Sequence, residues 1–250
     1  MSLATRYVKE IYEQRRYWPT WEPNVGLSLG TCGPVVDGVF RPEGNLQNYG
    51  IKFDREQDPA PSDTDYSSGS GLKLEFQTKA GSQAIPNIPQ GTAGLRVTFT
   101  SKRAIVVAAK GAVEHRIADV AKLRRDVLES AQRLQGVPDR WFVVTHLVSC
   151  ANATVILAKG SGATFAVSAN ADFSAGVVDL ANAQLGLNVQ LEDKIGYKML
   201  AKSGATPLFR GIRLKRSLLG TQKLQTLGPG DVGDQLESQF EELTPETAEI

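Results

Sequence analysis

The chain has 250 residues, of which 41% are hydrophobic, and this suits one large domain or two small ones with a sizeable core. No run of about 18 apolar residues occurs, which excludes a transmembrane helix, and the charged first ten residues lack the apolar stretch of a secretory signal. The two cysteines, Cys32 and Cys150, are too few for a disulfide scaffold and are typical of a reducing compartment. We therefore expect a protein that is cytoplasmic in its soluble form.

Charge is distributed unevenly along the chain. Residues 221–250 contain seven acids and one base, a net charge of −6, whereas residues 1–220 carry a net charge of +7. The sequence thus divides into a basic body, expected to be one domain at residues 1–220, and an acidic C-terminal tail. Such a tail is either a solvated appendage or a cover for a basic surface that would otherwise bind an anionic partner.

The chain begins with a predicted amphipathic helix at residues 3–16. Apolar side chains recur there at helical spacing, and Ser2 before them is a residue type that caps helices. The polar side of this helix carries four bases, which are Arg6, Lys9, Arg15 and Arg16. After the helix, Pro19 and Pro23 exclude another regular helix from the next segment.

The rest of the body predicts strands around one further long helix. That helix, at 117–135, is expected to bury Val120, Val127, Leu128, Ala131 and Leu134. A polar stretch rich in proline and serine at 54–70 predicts a loop. Alternating or β-branched residues predict strands near residues 25–30, 35–40, 72–77, 95–99, 104–109, 141–149, 153–158, 195–200 and 207–215. The expected fold class is α+β: a mixed, mainly antiparallel twisted sheet with an N-terminal amphipathic helix and one long packed helix.

The segment 163–191 alternates between apolar and small polar side chains in two halves, 165–177 and 181–191, with a candidate turn between them. In a strand, successive side chains point to opposite faces. Each half is long enough for a tilted membrane strand, which needs about 9–11 residues. The apolar row includes Phe165, Val167, Phe173, Leu185, Leu187 and Val189, and the opposite row includes Ser168, Asn170, Gln184, Asn188 and Gln190.

Two interpretations of this alternation are open. An antiparallel sheet with one face on the core alternates in the same way and never meets lipid. The polar row, however, holds Ser, Asn, Gln and Gly where a solvated face usually carries Lys and Glu, which favours a membrane-inserting hairpin with its apolar row toward lipid. Because backbone groups in lipid must all be paired, one hairpin per chain inserts only within a closed barrel of many chains.

The acidic tail has little apolar content. Its candidate anchors are Leu236, Phe240 and Leu243, on one short predicted helix. If the tail covers the basic body, these three side chains are expected to hold it there.

The order of these elements resembles the amino-terminal pore-forming domain of the gasdermin family. The resemblance covers residues 1–220. It runs from the basic first helix through the segment RRYWPTW, a short-strand region, paired strands around 71–79 and 93–109, the second helix and further strands to a second hairpin at 163–191. Gasdermins bind acidic lipids, oligomerise and open a membrane pore, and a C-terminal segment represses them until it is cleaved. The resemblance implies a non-enzymatic pore-former without cofactors, whose partners are acidic membranes, further copies of itself and an activating protease.

By this resemblance, the bases Arg6, Lys9, Arg15 and Arg16 would bind acidic lipid, and Leu236, Phe240 and Leu243 would belong to an autoinhibitory tail. The chain departs from the family in two ways. The large repressor domain of the family has no counterpart here, which leaves the short acidic tail as the candidate repressor. Bacterial members usually carry a lipidated cysteine near the N-terminus, whereas the first cysteine of this chain is Cys32.

No enzyme motif stands out from the sequence. His146 and Cys150 would be about 13 Å apart on one strand, so core packing is favoured over a nucleophilic pair. Cys32, Cys150 and the two histidines are not expected to supply a zinc site. Two alternatives to a pore-former remain: a non-enzymatic soluble binding or scaffold module of unknown partner and, ranked last, an enzyme on an unfamiliar fold.

Two further patterns have ordinary explanations. Trp18 and Trp21 are either interfacial anchors or side chains that pack over a core edge. A set of bases with nearby aromatic residues could mark a nucleic-acid site, but a solvated face is the default, and we expect no nucleic-acid partner. These bases are Arg124, Arg125, Arg210, Arg213, Lys215 and Arg216.

Overall fold

The structure, a computed structural model, describes residues 2–21, 26–58, 60–67, 71–81, 83–102, 104–131, 137–138, 140–174, 176–214 and 240–248. Within them, the α-helices are α1 (Leu3–Arg15) and α2 (Val120–Ala131). The strands are β1 (Trp18–Pro19), β2 (Thr31–Gly33), β3 (Val35–Val36), β4 (Val39–Phe40), β5 (Gly44–Asn45), β6 (Arg55–Gln57), β7 (Ser62–Ser67), β8 (Leu72–Gln77), β9 (Ala93–Phe99), β10 (Ile105–Ile117), β11 (Phe142–Ala158), β12 (Ala163–Ala169), β13 (Asn188–Asp193), β14 (Ile195–Leu214) and β15 (Phe240–Glu242). Short 3-10 helices lie at Leu46–Tyr49, Gly176–Ala181 and Ala183–Leu185.

Helix α1 begins at a capped N-terminus and packs on the large sheet through its apolar stripe. The Ser2 side-chain oxygen accepts a hydrogen bond from the Thr5 backbone N–H at 3.0 Å, which satisfies a donor that the helix leaves unpaired. Tyr7 and Ile11 pack against apolar side chains of β10 and β11, and Val8 lies in the neighbouring core. The predicted first helix and its cap are confirmed.

Helix α2 starts later than predicted, because Ile117 is the last residue of β10. The Asp119 carboxylate accepts a hydrogen bond from the Lys122 N–H at 2.7 Å and so caps the helix. Leu134, one of the predicted core residues, lies outside the described residues. The side chains that α2 packs into the main core are Val120, Leu123, Val127 and Leu128.

Three long strands form the centre of the large sheet. Strands β10, β11 and β14 have 13, 17 and 20 residues. The order is β1-β14-β11-β10-β6, with β7 also on β10, β2 on β11, β5 on β2, and β15 on β14. All strand pairs among the described residues are antiparallel, and the predicted α+β class with mainly antiparallel sheets is confirmed.

A separate four-stranded sheet, in the order β13-β12-β9-β8, packs against the large one. Its inner face presents apolar side chains of β9 and β12 to β10 and β11, and these form one continuous core. The 3-10 helix Gly176–Ala181 closes one side of this core with the buried Val177 and Leu180. The strands predicted around 71–79, 93–99 and 163–191 therefore share one sheet.

Several predicted boundaries are wrong. Segment 54–70 contains β6 and β7, which pair with β10 and replace the predicted loop. The strand expected near 25–30 begins only at Thr31. The strands expected at 141–149 and 153–158 are one strand, β11, and those at 195–200 and 207–215 are one strand, β14.

Neither described α-helix combines the length and the apolarity that crossing a membrane requires.

Candidate functional site

The four bases assigned to lipid binding lie along α1 in unequal surroundings. Arg6 is half-buried and donates a hydrogen bond to the Ala158 carbonyl at the end of β11. Burial lowers the pKa of its guanidinium. Lys9 is half-buried, whereas Arg15 and Arg16 are exposed. The exposed positive charge of α1 is therefore concentrated at its C-terminal end.

Arg16 ends the helix in the left-handed conformation, with φ 57° and ψ 28°. Its backbone N–H donates to the Tyr12 carbonyl at 2.9 Å, and its guanidinium carbon lies 5.6 Å from the centroid of the Tyr12 ring. Glycine is the usual residue in this conformation at a helix end. An arginine here instead places a positive charge where the helix dipole favours one.

The segment 163–191 forms a shorter hairpin than its alternation predicts. β12 ends at Ala169, β13 begins at Asn188, and the described residues between them form turns and two 3-10 helices. The prediction of strands along 165–177 and 181–191 is therefore wrong for this structure. In the apolar row, Phe165, Val167 and Leu185 are buried, Phe173 and Leu187 are half-buried, and Val189 is 41% exposed.

A β-bulge divides the apolar row of the second half between two faces. Val189 pairs with Val167 and Leu191 pairs with Ala166, so Gln190 is the extra residue. Leu191 therefore lies on the opposite face from Val189, where it packs under the connection between β8 and β9. Alternation alone could not reveal this, because the period of two assumes an unbroken strand.

The connection between β8 and β9 covers the outer face of the small sheet. The Gln77 side chain holds it with three hydrogen bonds to its backbone. Ser168 on that face is buried and accepts a hydrogen bond from Gln190 at 2.8 Å. The polar side chains beyond the covered part, Asn170, Gln184 and Asn188, are exposed.

The C-terminal residues 240–248 dock on the body as part of the large sheet. β15 pairs antiparallel with the end of β14, and Phe240 and Leu243 are buried in the main core. The predicted short helix is wrong at these residues, because the tail adds a strand to a sheet edge. Leu236, the third predicted anchor, lies outside the described residues.

Arg213 of β14 is the main polar link between body and tail. Its Nε donates to the Glu241 carboxylate at 2.5 Å, and a terminal nitrogen donates to the Thr247 carbonyl at 2.7 Å. Its guanidinium carbon lies 4.6 Å from the centroid of the Phe142 ring. The two ion-pair side chains are only 18% and 22% exposed. The opposite charges of body and tail hinted at such a contact, but the pairing of these two residues follows from strand register.

The docked tail also brings carboxylates to the basic end of α1. The pKa of the Glu246 carboxyl is lowered by a hydrogen bond from a threonine of the tail, and further by the charges of Lys9 and Arg16. The pKa of the Tyr12 hydroxyl is raised by burial and by the nearby Glu242 carboxylate. Two tail acids thus lie within electrostatic reach of the end of α1 where its exposed bases are.

The residues considered for catalysis have structural contacts. Burial raises the pKa of the Cys32 and Cys150 thiols to about 11, which leaves them protonated and unreactive near neutral pH. The Cys150 thiol donates to the Ala205 carbonyl at 3.4 Å, and the His146 Nδ1 lies 3.1 Å from the Thr145 hydroxyl. The described residues contain no group of three or more His, Cys, Asp or Glu side chains placed to hold a metal ion.

Both tryptophans and Arg210, one of the predicted basic set, have aromatic or core contacts within the fold. Trp18 is buried beside β14, and the Trp21 ring packs against the Tyr197 ring at a tilt of 34° with centroids 5.2 Å apart, as the core-edge interpretation expects. Arg210, from the predicted basic set, has its guanidinium carbon 4.2 Å from the centroid of the Tyr17 ring.

Fold and site together define an α+β protein in which an acidic C-terminal strand is docked beside the basic end of an N-terminal helix. The chain matches no protein-family profile, and it matches no curated protein. Among solved structures it is similar to a chain of the gasdermin A3 membrane pore determined by cryo-EM, with 10% sequence identity and a TM-score of 0.31. The match covers 85% of this chain and 89% of that one. A likeness of this size defines neither a family nor a function.

Proposed function

We propose that this chain is a membrane pore-forming protein held inactive by its C-terminal tail. In the proposed active state, the basic end of α1 binds acidic lipid, several copies assemble, and the segment 163–191 extends and inserts. The tail is released when a protease cuts within residues 215–239, which removes the covalent link between β14 and β15.

The observation that carries this proposal is a mismatch between pattern and structure in 163–191. The apolar alternation runs through residues 165–177 and 181–191, but β12 has only seven residues and β13 only six. A tilted membrane strand needs about 9–11 residues, so both strands are too short as they stand, whereas the alternating halves are long enough. Alternation that extends beyond the strands of one structure is expected where the same segment also forms longer strands in a second conformation.

The placement of the small sheet supports the same proposal. Strands β8 and β9 make one candidate hairpin and β12 and β13 the other, and the pairing of β9 with β12 joins them edge to edge. Both hairpins cover the same core with the same face. A single detachment of this sheet would therefore free both hairpins, without breaking the pairs among β10, β11 and β14.

The docked tail supports an inactive state. Phe240 and Leu243 bury apolar surface in the main core, and the ion pair of Arg213 with Glu241 is mostly screened from solvent. The tail carboxylates Glu242 and Glu246 act on the end of α1 that acidic lipids would have to approach. Because each base near an anionic membrane contributes about 1 kcal/mol, nearby carboxylates weaken that attraction directly.

Dye release from vesicles tests the proposal, with Arg213→Ala as the releasing variant. The substitution removes one ion pair and one hydrogen bond to the tail and should weaken docking by about 2 kcal/mol. We expect Arg213→Ala to release dye from phosphatidylserine vesicles faster than the unmodified chain does, and to release little from phosphatidylcholine vesicles. The matched control is Arg116→Ala, which removes the exposed ion pair with Glu56 and should leave release unchanged.

The proposal fails if neither Arg213→Ala nor a chain cut within 215–239 releases dye while circular dichroism remains native. That result would favour the alternative, a soluble binding or scaffold module. Equal dye release from both kinds of vesicle would be consistent with a pore but would contradict the proposed role of acidic lipid.

A further inference from the structure

The side chain of Thr154 joins three elements in the middle of the fold. Thr154 lies on β11, and its side chain is completely buried. Its hydroxyl donates a hydrogen bond to the Leu180 carbonyl at 2.5 Å and accepts one from the Ala201 N–H at 2.7 Å. Leu180 belongs to the 3-10 helix at Gly176–Ala181, and Ala201 belongs to β14. One hydroxyl therefore connects the large sheet to the segment that interrupts the alternation of 163–191.

A β-bulge of β14 lies opposite Thr154, where Leu200 and Ala201 face this one residue of β11. Ala201 has a φ of 46°, in the left-handed region that side chains other than glycine rarely adopt. The extra residue of a bulge is left out of the regular ladder, and here the Thr154 hydroxyl accepts the Ala201 N–H. The same hydroxyl thus supports an irregular point of β14 and anchors the 3-10 helix.

Apolar packing and local hydrogen bonds also hold this segment. Val177 and Leu180 are buried in the core against side chains of β10 and β11. The Asp179 carboxylate accepts a hydrogen bond from the Ser174 N–H at 2.6 Å, and the Asn182 N–H donates to the Asp179 carbonyl at 2.9 Å. Apolar contacts are not directional, whereas a buried carbonyl that loses its donor is costly. The bond from Thr154 therefore gives the 3-10 helix one preferred position on the large sheet.

We propose that the Thr154 hydroxyl is a latch that keeps the segment 170–187 closed on the large sheet. When the latch opens, the Leu180 carbonyl loses its buried donor, the apolar side chains of the 3-10 helix leave the core, and the segment is free to extend. Extension into membrane strands rests on the proposed function, whereas the latch itself is a property of the folded soluble chain.

Amide hydrogen exchange tests the latch with Thr154→Val. Valine has nearly the shape of threonine but lacks the hydroxyl, so the Leu180 carbonyl stays buried without its donor. The amides to follow are those of Asn182 and Leu185, whose N–H groups are hydrogen-bonded within the segment. We expect both to exchange about ten- to a hundredfold faster in Thr154→Val. Thr154→Ser keeps the hydroxyl and should retain most of the protection.

The matched control is Thr206→Val. Thr206 is a buried threonine of β14 whose hydroxyl accepts a hydrogen bond from the Leu27 N–H at 3.1 Å. This substitution destabilises the fold but leaves both bonds of Thr154 in place, so Asn182 and Leu185 should exchange as in the unmodified chain. Equal acceleration of these amides in Thr154→Val and Thr206→Val would overturn the latch, because the segment would then open only when the whole fold does.

A second measurement needs no variant. In the unmodified chain, low concentrations of urea should hardly change exchange at Asn182 and Leu185, because a local opening exposes little surface, but should speed exchange in the middle of β11. The same urea dependence in both places would overturn the latch.

Dye release separates the latch from the pore. After a cut within 215–239, Thr154→Val should release dye from phosphatidylserine vesicles faster than Thr206→Val. Equal release by the two cut variants would overturn the role of the latch in extension. If no cut chain releases dye while exchange follows the expected pattern, the latch is supported and the pore proposal is contradicted.

Discussion

At the scale of single residues, Arg15 and Arg16 differ although they are adjacent and carry the same charge. Arg15 is the last residue of α1, while Arg16 follows it in the left-handed region. Side chains other than glycine and asparagine are disfavoured there, so the backbone of Arg16 is held in place by its surroundings at some cost. Substitution by glycine should therefore change the free energy of unfolding in opposite directions at the two positions.

We predict that Arg16→Gly raises the free energy of unfolding by up to about 1 kcal/mol, and that Arg15→Gly lowers it by about 1 kcal/mol. The first substitution relieves the left-handed arginine, and the second places glycine within the helix. Urea denaturation followed by circular dichroism measures both. A loss of stability in Arg16→Gly as large as that in Arg15→Gly would show that the Arg16 side chain outweighs its backbone cost.

His146 should make the fold sensitive to acid. Burial lowers the pKa of its imidazole below the ordinary value, so the unfolded chain binds a proton more readily than the folded one. The stability that the neutral His146 side chain contributes is fully present above the pKa of histidine in the unfolded chain, about 6.5, and is lost as the pH falls below that value. We predict that stability falls less between about pH 8 and about pH 5 in His146→Gln than in the unmodified chain. Parallel pH profiles for the two proteins would contradict this.

At the scale of elements, the segment 163–191 has neighbouring positions with opposite surroundings. Leu187 is half-buried against the cluster of Ala93, Ala169 and Leu185, whereas Asn188 is exposed. A charge at position 187 must be accommodated against apolar side chains, while a charge at position 188 remains in water. The two positions also fall on opposite rows of the alternation, so the same pair tests the soluble fold and the inserted state.

We predict that Leu187→Arg lowers the free energy of unfolding by about 2–3 kcal/mol, while Asn188→Lys changes it by about 0.5 kcal/mol or less. In the proposed inserted state, arginine at 187 would face lipid at a cost of about 2–4 kcal/mol and abolish dye release, whereas lysine at 188 would face water and alter conductance. Urea denaturation and vesicle leakage measure these effects. Because a poorly folded variant would also fail to leak, environment-sensitive dyes on single cysteines at 187 and 188 provide the second measurement. No lipid signal at either position in a leaking sample would contradict insertion.

At the scale of the whole molecule, the C-terminal strand contacts elements that lie far apart in the sequence. It pairs with β14, packs in the core that α2 completes, and brings acids to the end of α1. The Leu243 N–H donates to the Gly211 carbonyl, so the next opposed pair, Ile212 with Glu242, is one without direct ladder hydrogen bonds. Cα atoms in such pairs are about 4.5 Å apart, which is compatible with a disulfide.

A disulfide in Ile212→Cys/Glu242→Cys should therefore lock the tail in place. We predict that the oxidised variant releases no dye from acidic vesicles after proteolysis within 215–239, and that reduction restores release. The native cysteines should not interfere, because burial raises the pKa of both thiols to about 11. Equal release by the oxidised and reduced cut proteins would mean that tail docking does not control the membrane activity.

The sequence alone was sufficient for features encoded within one segment. The helical spacing of apolar residues after Ser2 placed α1 and its cap, and the same periodicity placed the centre of α2. The α+β class followed from these helices and from the alternating segments around them. Charge counting also showed that residues 221–250 are acidic and residues 1–220 are basic. Each of these inferences rests on interactions between near neighbours in the chain.

Only the tertiary structure decided which segments join a sheet edge and which face they present. The polar segment at 54–70 forms β6 and β7 because it pairs with the backbone of β10. The tail forms β15 because it pairs with the backbone at the end of β14. Such pairing satisfies hydrogen-bonding groups of the backbone, and the side chains of the added segment do not reveal that it will occur. The bulge at Gln190 likewise turned Leu191 away from the apolar row. Register and edge pairing are long-range choices, and for that reason the contact between Arg213 and Glu241 was beyond the reach of the sequence.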